Sequence, residues 1–250
     1  IISTHAQEKV RPRIGLTLSG GGAKGLAHIG ILKAIDSAGL KVDYITGTSM
    51  GGILGALYAV GYSGNEIEKI ARDIDWDQLF GNQISLRTLS VEEKEQYSRF
   101  AIELPYVNNR ISLQTGVIKG QELNLKFSEL FFHVSDVRSF SHFKIPFKCM
   151  ATDLETGNLV VLDTGNITTA LRATMAIPSV FAAVNIGDKR LVDGGVVRNF
   201  PVKNVKEMGA DIVIGSNVST GLSAKEKITN PIDVILQMAF FKECHLQYHI

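Results

Sequence analysis

A serine lies between two glycines in the stretch Gly47-Thr48-Ser49-Met50-Gly51. A short apolar run precedes this stretch, and an uncharged run rich in leucine, alanine and glycine follows it. A serine in a G-x-S-x-G between a strand and a helix stands on a sharp turn with its Oγ exposed. The helix that follows also directs its positive end at this point, which favours a developing negative charge. The pattern predicts that Ser49 is a nucleophile, provided that the chain supplies a base and an oxyanion hole.

A glycine cluster, Gly20-Gly21-Gly22, follows an apolar strand pattern and precedes an amphipathic helix pattern. Backbone N–H groups at such a helix start form a concavity that binds anions. Residues 20–25 also fit the dinucleotide fingerprint, but its acidic residue belongs at the far end of the second strand, whereas Asp43 lies at that strand's beginning. A Walker loop would need Lys and Ser or Thr after Gly25. The loop is therefore better interpreted as an oxyanion hole that meets Ser49 at one edge of a parallel sheet.

The candidates for the base that deprotonates Ser49 are the histidines and the aspartates at predicted strand ends. The usual hydrolase order of serine, acid and histidine would need a histidine after Asp193, and only His245 and His249 qualify. His28 falls within the first helix pattern, where packing or hydrogen bonding is the simpler role. Asp193 ends a short apolar strand and precedes two glycines, so its carboxylate can approach another strand end. Because a carboxylate acting directly on serine needs only reach and partial desolvation, Asp193 is the candidate base, with an ordinary turn aspartate as the alternative.

The composition is that of a globular domain, with 250 residues, 45% hydrophobic and 20% charged. A net charge of +1 gives no field that would attract nucleic acid, so no nucleic-acid partner is expected. Cys149 and Cys244 lie in no metal or redox spacing, and no cofactor or metal site is predicted. The apolar run Met50–Tyr62 has the length of a core helix rather than a membrane span. We expect a tail over residues 1–12 and one domain over residues 13–250.

Periodicity and turn signals place the remaining elements. A parallel βαβ unit opens the domain, with a strand over residues 13–18, a helix over residues 23–38 and a second strand that leads into the serine. Residues 76–115 lack a sustained period and are predicted to be irregular with short helical pieces. The other predicted elements are a capped helix beginning at Ser63, a helix over 122–132, a hairpin of 145–153 with 159–162, a helix over 167–175, a strand over 190–192, a helix over 202–208, a buried strand over 211–217 and a final helix over 231–241.

These motifs and their order resemble the patatin-like phospholipases, which carry a G-G-G-x-[KR]-G loop, a G-x-S-x-G elbow and a later D-G-[GA]. Here the three motifs are Gly20 to Gly25, Gly47 to Gly51 and Asp193 to Gly195. Further segments that look like the family begin at Ala151, Arg172 and Asn199, so the resemblance covers roughly residues 13–217. The pattern is most similar to the bacterial branch of the family.

The resemblance implies a three-layer α/β/α fold with a mostly parallel central sheet and a calcium-independent lipid acyl hydrolase without a cofactor. It implies that Ser49 is the nucleophile, Asp193 the base without a histidine, and the amides around Gly20, Gly21 and Gly22 the oxyanion hole. A phospholipid or other fatty-acyl ester would be the substrate, and peripheral membrane contact is expected. The signal-like first residues would suit the exported bacterial relatives, while a cytoplasmic location and a disordered tail stay open.

Two other functions stay open at this point. One is a catalytically weak lipid-binding module that uses the same pocket, and the other is a nucleotide-dependent oxidoreductase that uses the glycine loop. Labelling by a fluorophosphonate would favour the hydrolase. No motif specifies a head group, an acyl-chain length or an oligomeric state.

Overall fold

The computed structural model describes residues 11–76, 79, 106–107, 110–111, 116–118, 120–219 and 237. The predicted tail over residues 1–12 is therefore described only at its last two residues. Most of the segment predicted to be irregular, residues 76–115, lies outside the described residues. So do Cys244, His245 and His249, and of the final predicted helix only Gln237 is described, as helical.

The described chain opens with the strand–helix–strand order that the sequence predicts, followed by two further helices. The strands are β1 (Ile14–Leu18), β2 (Tyr44–Thr48), β3 (Tyr106–Val107), β4 (Arg110–Ile111), β5 (Gly116–Ile118), β6 (Phe147–Asp153), β7 (Leu159–Leu162), β8 (Ser179–Phe181), β9 (Val184–Ile186), β10 (Lys189–Asp193) and β11 (Ile212–Ser216). The α-helices are α1 (His28–Ser37), α2 (Met50–Val60), α3 (Gly64–Asp73), α4 (Gln121–Leu130), α5 (Ile167–Thr174) and α6 (Val202–Glu207).

The main sheet is mixed, with a parallel centre. Its order is β11, β1, β2, β6, β10, β9, and β7 also pairs with β6. β1 runs parallel to β11 and β2, and β2 runs parallel to β6. β10 is antiparallel to both β6 and β9, and β6 with β7 forms the predicted antiparallel hairpin. The carboxyl ends of β1 and β2 therefore lie side by side, which brings the glycine loop next to the serine turn.

Helices cover both faces of this parallel centre, which gives the three expected layers. On one face, a Cβ added to Gly55 of α2 would lie 3.1 Å from Ile45 Cγ2 and 3.6 Å from Leu18 Cδ1. On the other face, a Cβ added to Gly15 would lie 2.6 Å from Val205 of α6. Because successive strand residues point to opposite faces, α2 and α6 lie on opposite sides of the sheet.

Local signals explain where the helices begin and end. Gly61 follows α2 in a left-handed conformation at φ 117°, which a glycine adopts without a steric penalty. The predicted capping box is confirmed at α3, where Ser63 accepts a hydrogen bond from the Glu66 amide and Glu66 accepts one from the Ser63 amide. Within the described part of the chain, no helix is both long enough and apolar enough to cross a membrane.

Three details differ from the sequence-based expectation. The first predicted helix begins as a 3-10 helix, Gly22–Ala27, because it passes so close to α2 that a Cβ on Gly25 would lie 2.5 Å from Met50 Cβ. The strand predicted to be buried over residues 211–217 is an edge strand, β11, and Ile212 is 48% exposed. Five short strands were not predicted, since they have only two or three residues each: β3 and β4, which fall in the segment predicted to be irregular with short helical pieces, and β5, β8 and β9.

The close crossing of α2 over β2 predicts a sharp difference between two glycine-to-alanine variants. A Cβ on Gly47 would lie 2.6 Å from the Gly51 carbonyl carbon and 2.7 Å from the Gly52 nitrogen, so backbone would have to move. Gly47→Ala should lower the free energy of unfolding by at least about 1–3 kcal/mol, as overpacking does. Gly30→Ala in α1 meets nothing within 4 Å and should raise it by roughly 0.5–1 kcal/mol.

Urea unfolding of both variants beside the wild-type protein measures these effects. An unchanged free energy of unfolding for Gly47→Ala would contradict the tight crossing, and the Gly30→Ala control shows whether alanine itself is tolerated in a helix of this domain.

Candidate active site

Ser49 occupies a strained turn between β2 and α2. Its backbone has φ 52° and ψ −125°, and among the described residues other than glycine it alone has a positive φ. Such a conformation costs about 1–3 kcal/mol and persists only where the surroundings enforce it. The Ser49 carbonyl accepts the first hydrogen bond of α2, from the Ile53 amide at 3.1 Å. The sequence-based prediction of a sharp strand-to-helix turn at this serine is confirmed.

Thr174, at the end of α5, holds the Ser49 turn in place. The Ser49 amide donates to Thr174 Oγ1 at 3.0 Å, and Thr174 Oγ1 donates to the Met150 carbonyl at 2.5 Å. Thr174 is fully buried, so both bonds are shielded from water. The Ser49 amide is therefore already engaged and is not a free donor for a ligand.

Asp193 lies at the end of β10, and the Ser49 hydroxyl is near enough to its carboxyl group to lower the pKa of that group. Asp193 is 2% exposed, and Oδ1 also accepts from the Gly195 amide at 2.7 Å. Burial raises the pKa of Asp193 to about 6, against the lowering effects of the Gly195 and Ser49 hydrogen bonds. The structure thus brings the two sequence-predicted residues together and makes the carboxylate more basic than an exposed aspartate.

The glycine loop lies directly beside Ser49. A Cβ added to Gly20 would lie 2.4 Å from Asn199 Oδ1 and 3.2 Å from Ser49 Cβ, so a side chain there would force Asn199 to move. The Gly20 amide donates to the Asn199 carbonyl at 3.2 Å, and Asn199 Nδ2 donates to the Gly20 carbonyl at 3.4 Å. Gly20 is therefore anchored rather than available as a donor. Gly21 and Gly22 stand at the start of the 3-10 helix, where amides have no acceptor within the helix.

The model of the patatin-like phospholipase family matches residues 16–206. This chain belongs to that family. The match spans β1 to α6 and so contains the glycine loop, the serine turn and the strand that ends at Asp193. Membership supports the expected class of enzyme, a phospholipase or other ester hydrolase.

Similar proteins include fungal lysophospholipases. Lysophospholipase NTE1 of Coccidioides immitis is 32% identical over 209 residues, which cover 82% of this chain and 11% of that protein. Lysophospholipase nte1 of Aspergillus fumigatus is 29% identical over 207 residues, covering 83% of this chain and 12% of that protein. The chain thus spans about a tenth of the length of these relatives. They are fungal, so assignment to the bacterial branch stays a prediction.

A solved structure supports the fold. The crystal structure of VipD from Legionella pneumophila superposes with a TM-score of 0.54 at 16% identity, covering 84% of this chain and 51% of that one. At this level of identity the likeness concerns the fold alone. Together with the family match, it confirms the predicted patatin-like α/β architecture.

His28 has a structural environment in this patatin-like domain. It is fully buried, and Nε2 donates to the Ser19 carbonyl at 2.9 Å, because a carbonyl can only accept. Nδ1 then accepts from the Ser216 hydroxyl at 2.8 Å. Burial lowers the pKa of His28, and its hydrogen bond to Ser19 opposes that shift only in part. The neutral imidazole links the first turn of α1 to the ends of β1 and β11.

The remaining acidic candidates are engaged elsewhere. Asp153 accepts hydrogen bonds from the Glu155 amide at 3.1 Å and from Thr156 Oγ1 at 3.0 Å, so it caps its own hairpin turn. Asp43 pairs with Arg11, which holds the pKa of that carboxyl below its usual range. An aspartate bound in this way at the start of β2 does not serve a dinucleotide at the glycine loop. Among the described residues, no cluster of His, Cys, Asp and Glu could hold a metal ion.

A narrow apolar pocket is lined in part by Met50, which directly follows Ser49 in the chain. Its free volume is about 30 Å³, and Leu26 and Met175 also line it. Helices α3 and α4 supply the opposite wall, with Ile67, Ile70, Leu123 and Phe127 among its residues.

Sequence reasoning assigned no role to Thr174 or Asn199, although both fall in the segments that resemble the family. The signal that could have found them is a hydroxyl or amide within an otherwise apolar segment. Such a polar group is normally hydrogen-bonded when buried, and here the partners are Ser49 and Gly20.

The Thr174 bond predicts opposite behaviour for two substitutions. Thr174→Val keeps the shape but leaves the buried Ser49 amide without an acceptor, which should lower the free energy of unfolding by about 1–3 kcal/mol. The turn should then relax, and a fluorophosphonate should label Ser49 more slowly. Thr174→Ser keeps the hydroxyl and should retain most of the labelling rate.

Urea unfolding and the rate of labelling, followed by mass spectrometry, measure both effects. Equal labelling rates in the valine and serine variants would show that the Thr174 hydroxyl does not hold the turn.

Proposed function

We propose that this chain is a serine lipid acyl hydrolase, of the phospholipase A or lipase type, that works through a Ser49–Asp193 dyad. The observation that carries the proposal is the proximity of the Ser49 hydroxyl to the buried carboxyl group of Asp193, whose pKa is raised to about 6. A base with this pKa is ionised at neutral pH and still basic enough to take a proton in the transition state. No histidine is needed for this step, and His28 is engaged in structural hydrogen bonds.

The mechanism is acyl transfer in two steps. As Ser49 Oγ attacks the ester carbonyl carbon, Asp193 takes the hydroxyl proton, and it returns that proton to the departing alcohol oxygen. A water molecule, deprotonated by the same carboxylate, then attacks the acyl carbon. The bond to Ser49 Oγ breaks, Asp193 returns the proton to that oxygen, and the fatty acid leaves. The amides of Gly21 and Gly22 are the proposed donors to the tetrahedral oxyanion. The Gly20 amide, which the sequence placed in the same role, supports the loop instead because it donates to Asn199.

A single-chain acyl ester is the proposed substrate class. The fungal relatives are named lysophospholipases. The space beside Met50 is lined by apolar side chains, and with a free volume of about 30 Å³ it would have to widen to take a fatty-acyl chain. Peripheral membrane contact is part of the same proposal. Leu125 is 66% exposed on α4, and Phe132 is 77% exposed just beyond it, so two large apolar side chains face solvent near the helix that lines the pocket.

The first test replaces the nucleophile. Ser49→Ala should abolish hydrolysis of lysophosphatidylcholine and of monoacylglycerol, and it should prevent labelling by a fluorophosphonate, because the attacking oxygen is gone. The free energy of unfolding should fall by no more than about 0.5–1.5 kcal/mol, since alanine keeps the packing and removes only the hydroxyl beside Asp193. Substantial turnover by Ser49→Ala would overturn the assignment. A wild-type protein that binds lipid vesicles without turnover and without labelling would instead support the lipid-binding module.

The raised pKa of Asp193 predicts the pH dependence. The protonated carboxyl cannot take the serine proton, so turnover should fall about tenfold per pH unit below pH 6 and level off above it. Asp193→Asn should lower turnover roughly 10²-fold or more, the span of a lost general base. The free energy of unfolding at neutral pH should be higher in Asp193→Asn than in the wild-type protein. The folded state holds the Asp193 proton more tightly than the unfolded chain, so ionisation between about pH 4 and pH 6 costs stability that asparagine does not lose.

Asp153→Asn is the matched control, because Asp153 is also a buried aspartate at a strand end but binds only its own turn. Its turnover should stay near the wild-type value. A well-folded Asp193→Asn variant with near-normal turnover, or a pH profile that is flat through pH 6, would refute the dyad.

A further inference from the structure

Arg198 is anchored between the nucleophile and the base. Its amide donates to the Gly194 carbonyl at 2.7 Å, and its carbonyl accepts from Thr48 Oγ1 at 2.9 Å. Gly194 directly follows Asp193 in the chain, and Thr48 directly precedes Ser49. The backbone of Arg198 is thus fixed relative to both halves of the proposed dyad.

The side chain of Arg198 carries a buried donor that has no acceptor. Within the described part of the chain, only two buried side-chain nitrogen or oxygen atoms lack a hydrogen-bond partner, and Arg198 Nε is one of them. None of the ion pairs between described residues involves Arg198. Burying part of a guanidinium without an acceptor costs stability, and an unsatisfied group of this kind in a folded protein calls for a partner.

Asp193, the nearest acidic residue along the chain, is not that partner. Its pKa is set by burial, by the Gly195 amide and by the Ser49 hydroxyl, with no contribution from a neighbouring cation. Arg198 therefore does not act by lowering the pKa of the base. An anionic group of a bound ligand would supply the acceptor that the described residues do not provide.

We propose that Arg198 binds the phosphate of a lysophospholipid while the ester carbonyl lies at Ser49. This inference rests on the proposed function and deepens it by naming a second contact with the substrate. A guanidinium presents planar, paired N–H donors that match phosphate oxygens. In a lysophospholipid the glycerol unit separates the phosphate from the ester, so the phosphate-binding residue should be held next to the reacting pair. The backbone of Arg198 meets this requirement, because it is bonded to the chain neighbours of both Ser49 and Asp193.

The test compares two substrates that differ in the phosphate. Lysophosphatidylcholine and a monoacylglycerol with the same acyl chain are hydrolysed by the wild-type protein, by Arg198→Gln and by Arg198→Lys. Arg198→Gln should lower kcat/KM for lysophosphatidylcholine about 10- to 100-fold, the range for a lost charged hydrogen bond, through a higher KM. Its kcat/KM for monoacylglycerol should stay within about threefold of wild type. Arg198→Lys should fall between, since it keeps the charge but loses the planar donor pair.

Lys206→Gln is the matched control, because it removes one positive charge from an exposed position on α6 and should affect neither substrate. The melting temperature of Arg198→Gln should not fall, since the buried Nε makes no hydrogen bond that could be lost.

Three results would overturn the phosphate contact while leaving the proposed function intact. The first is an equal loss of kcat/KM on both substrates in Arg198→Gln. The second is no loss on either substrate, which includes the case in which Arg198 binds only free phosphate. The third is a wild-type protein that hydrolyses monoacylglycerol but not lysophosphatidylcholine. Failure of the proposed function is a separate outcome, in which the wild-type protein hydrolyses neither substrate or Ser49→Ala hydrolyses both.

Discussion

The structure depends on how closely the start of α2 approaches the ends of β1 and β2. A Cβ on Gly51 would lie 2.7 Å from the Leu18 carbonyl carbon, and a Cβ on Gly47 would overlap the backbone of α2. With side chains excluded at both positions, the turn between them can close, and the strain falls on Ser49 at φ 52°. The bond from the Ser49 amide to Thr174 then holds this strained residue against relaxation. The strained geometry of the turn therefore depends on the absence of side chains at Gly47 and Gly51 as much as on Ser49 itself.

The second feature of the site is the burial of Asp193, which raises the pKa of its carboxyl group. Asp193 lies on the antiparallel side of the sheet, where β10 pairs with β6, and its amide donates to the Ala176 carbonyl at 2.9 Å. Desolvation raises its pKa, and the Gly195 amide limits that rise by binding the charged form. The carboxyl group is thereby basic and still ionised at neutral pH. The same burial costs folding stability, as is common where a protein holds a functional group ready.

The sequence predicted those features that depend on local backbone requirements. The serine turn, the capping box at Ser63, the helix end at Gly61 and the 147–162 hairpin all follow from residue types that particular backbone conformations need. The anchoring of Gly20 by Asn199, 179 residues away, could not be predicted, because it depends on tertiary contacts rather than on spacing. The exposure of β11 was mispredicted because an apolar run looks the same in an edge strand as in a central one. The dyad's chemistry and the oxyanion donors stay proposals, although the structure brings Ser49 and Asp193 together.

Successive side chains of β2 point to opposite faces of the sheet, one packed against α2 and the other bonded to the segment over residues 198–201. Ile45 and Gly47 face α2, whereas Thr46 and Thr48 donate to the carbonyls of Pro201 and Arg198 on the opposite face. The segment over residues 198–201 is therefore attached to the serine strand without belonging to the serine turn. Its side chains can change while the threonine bonds, which use only backbone carbonyls, keep its position. Under the proposed role of Arg198, its side chain can be replaced while the Thr48 bond is kept, because that bond uses only the Arg198 carbonyl.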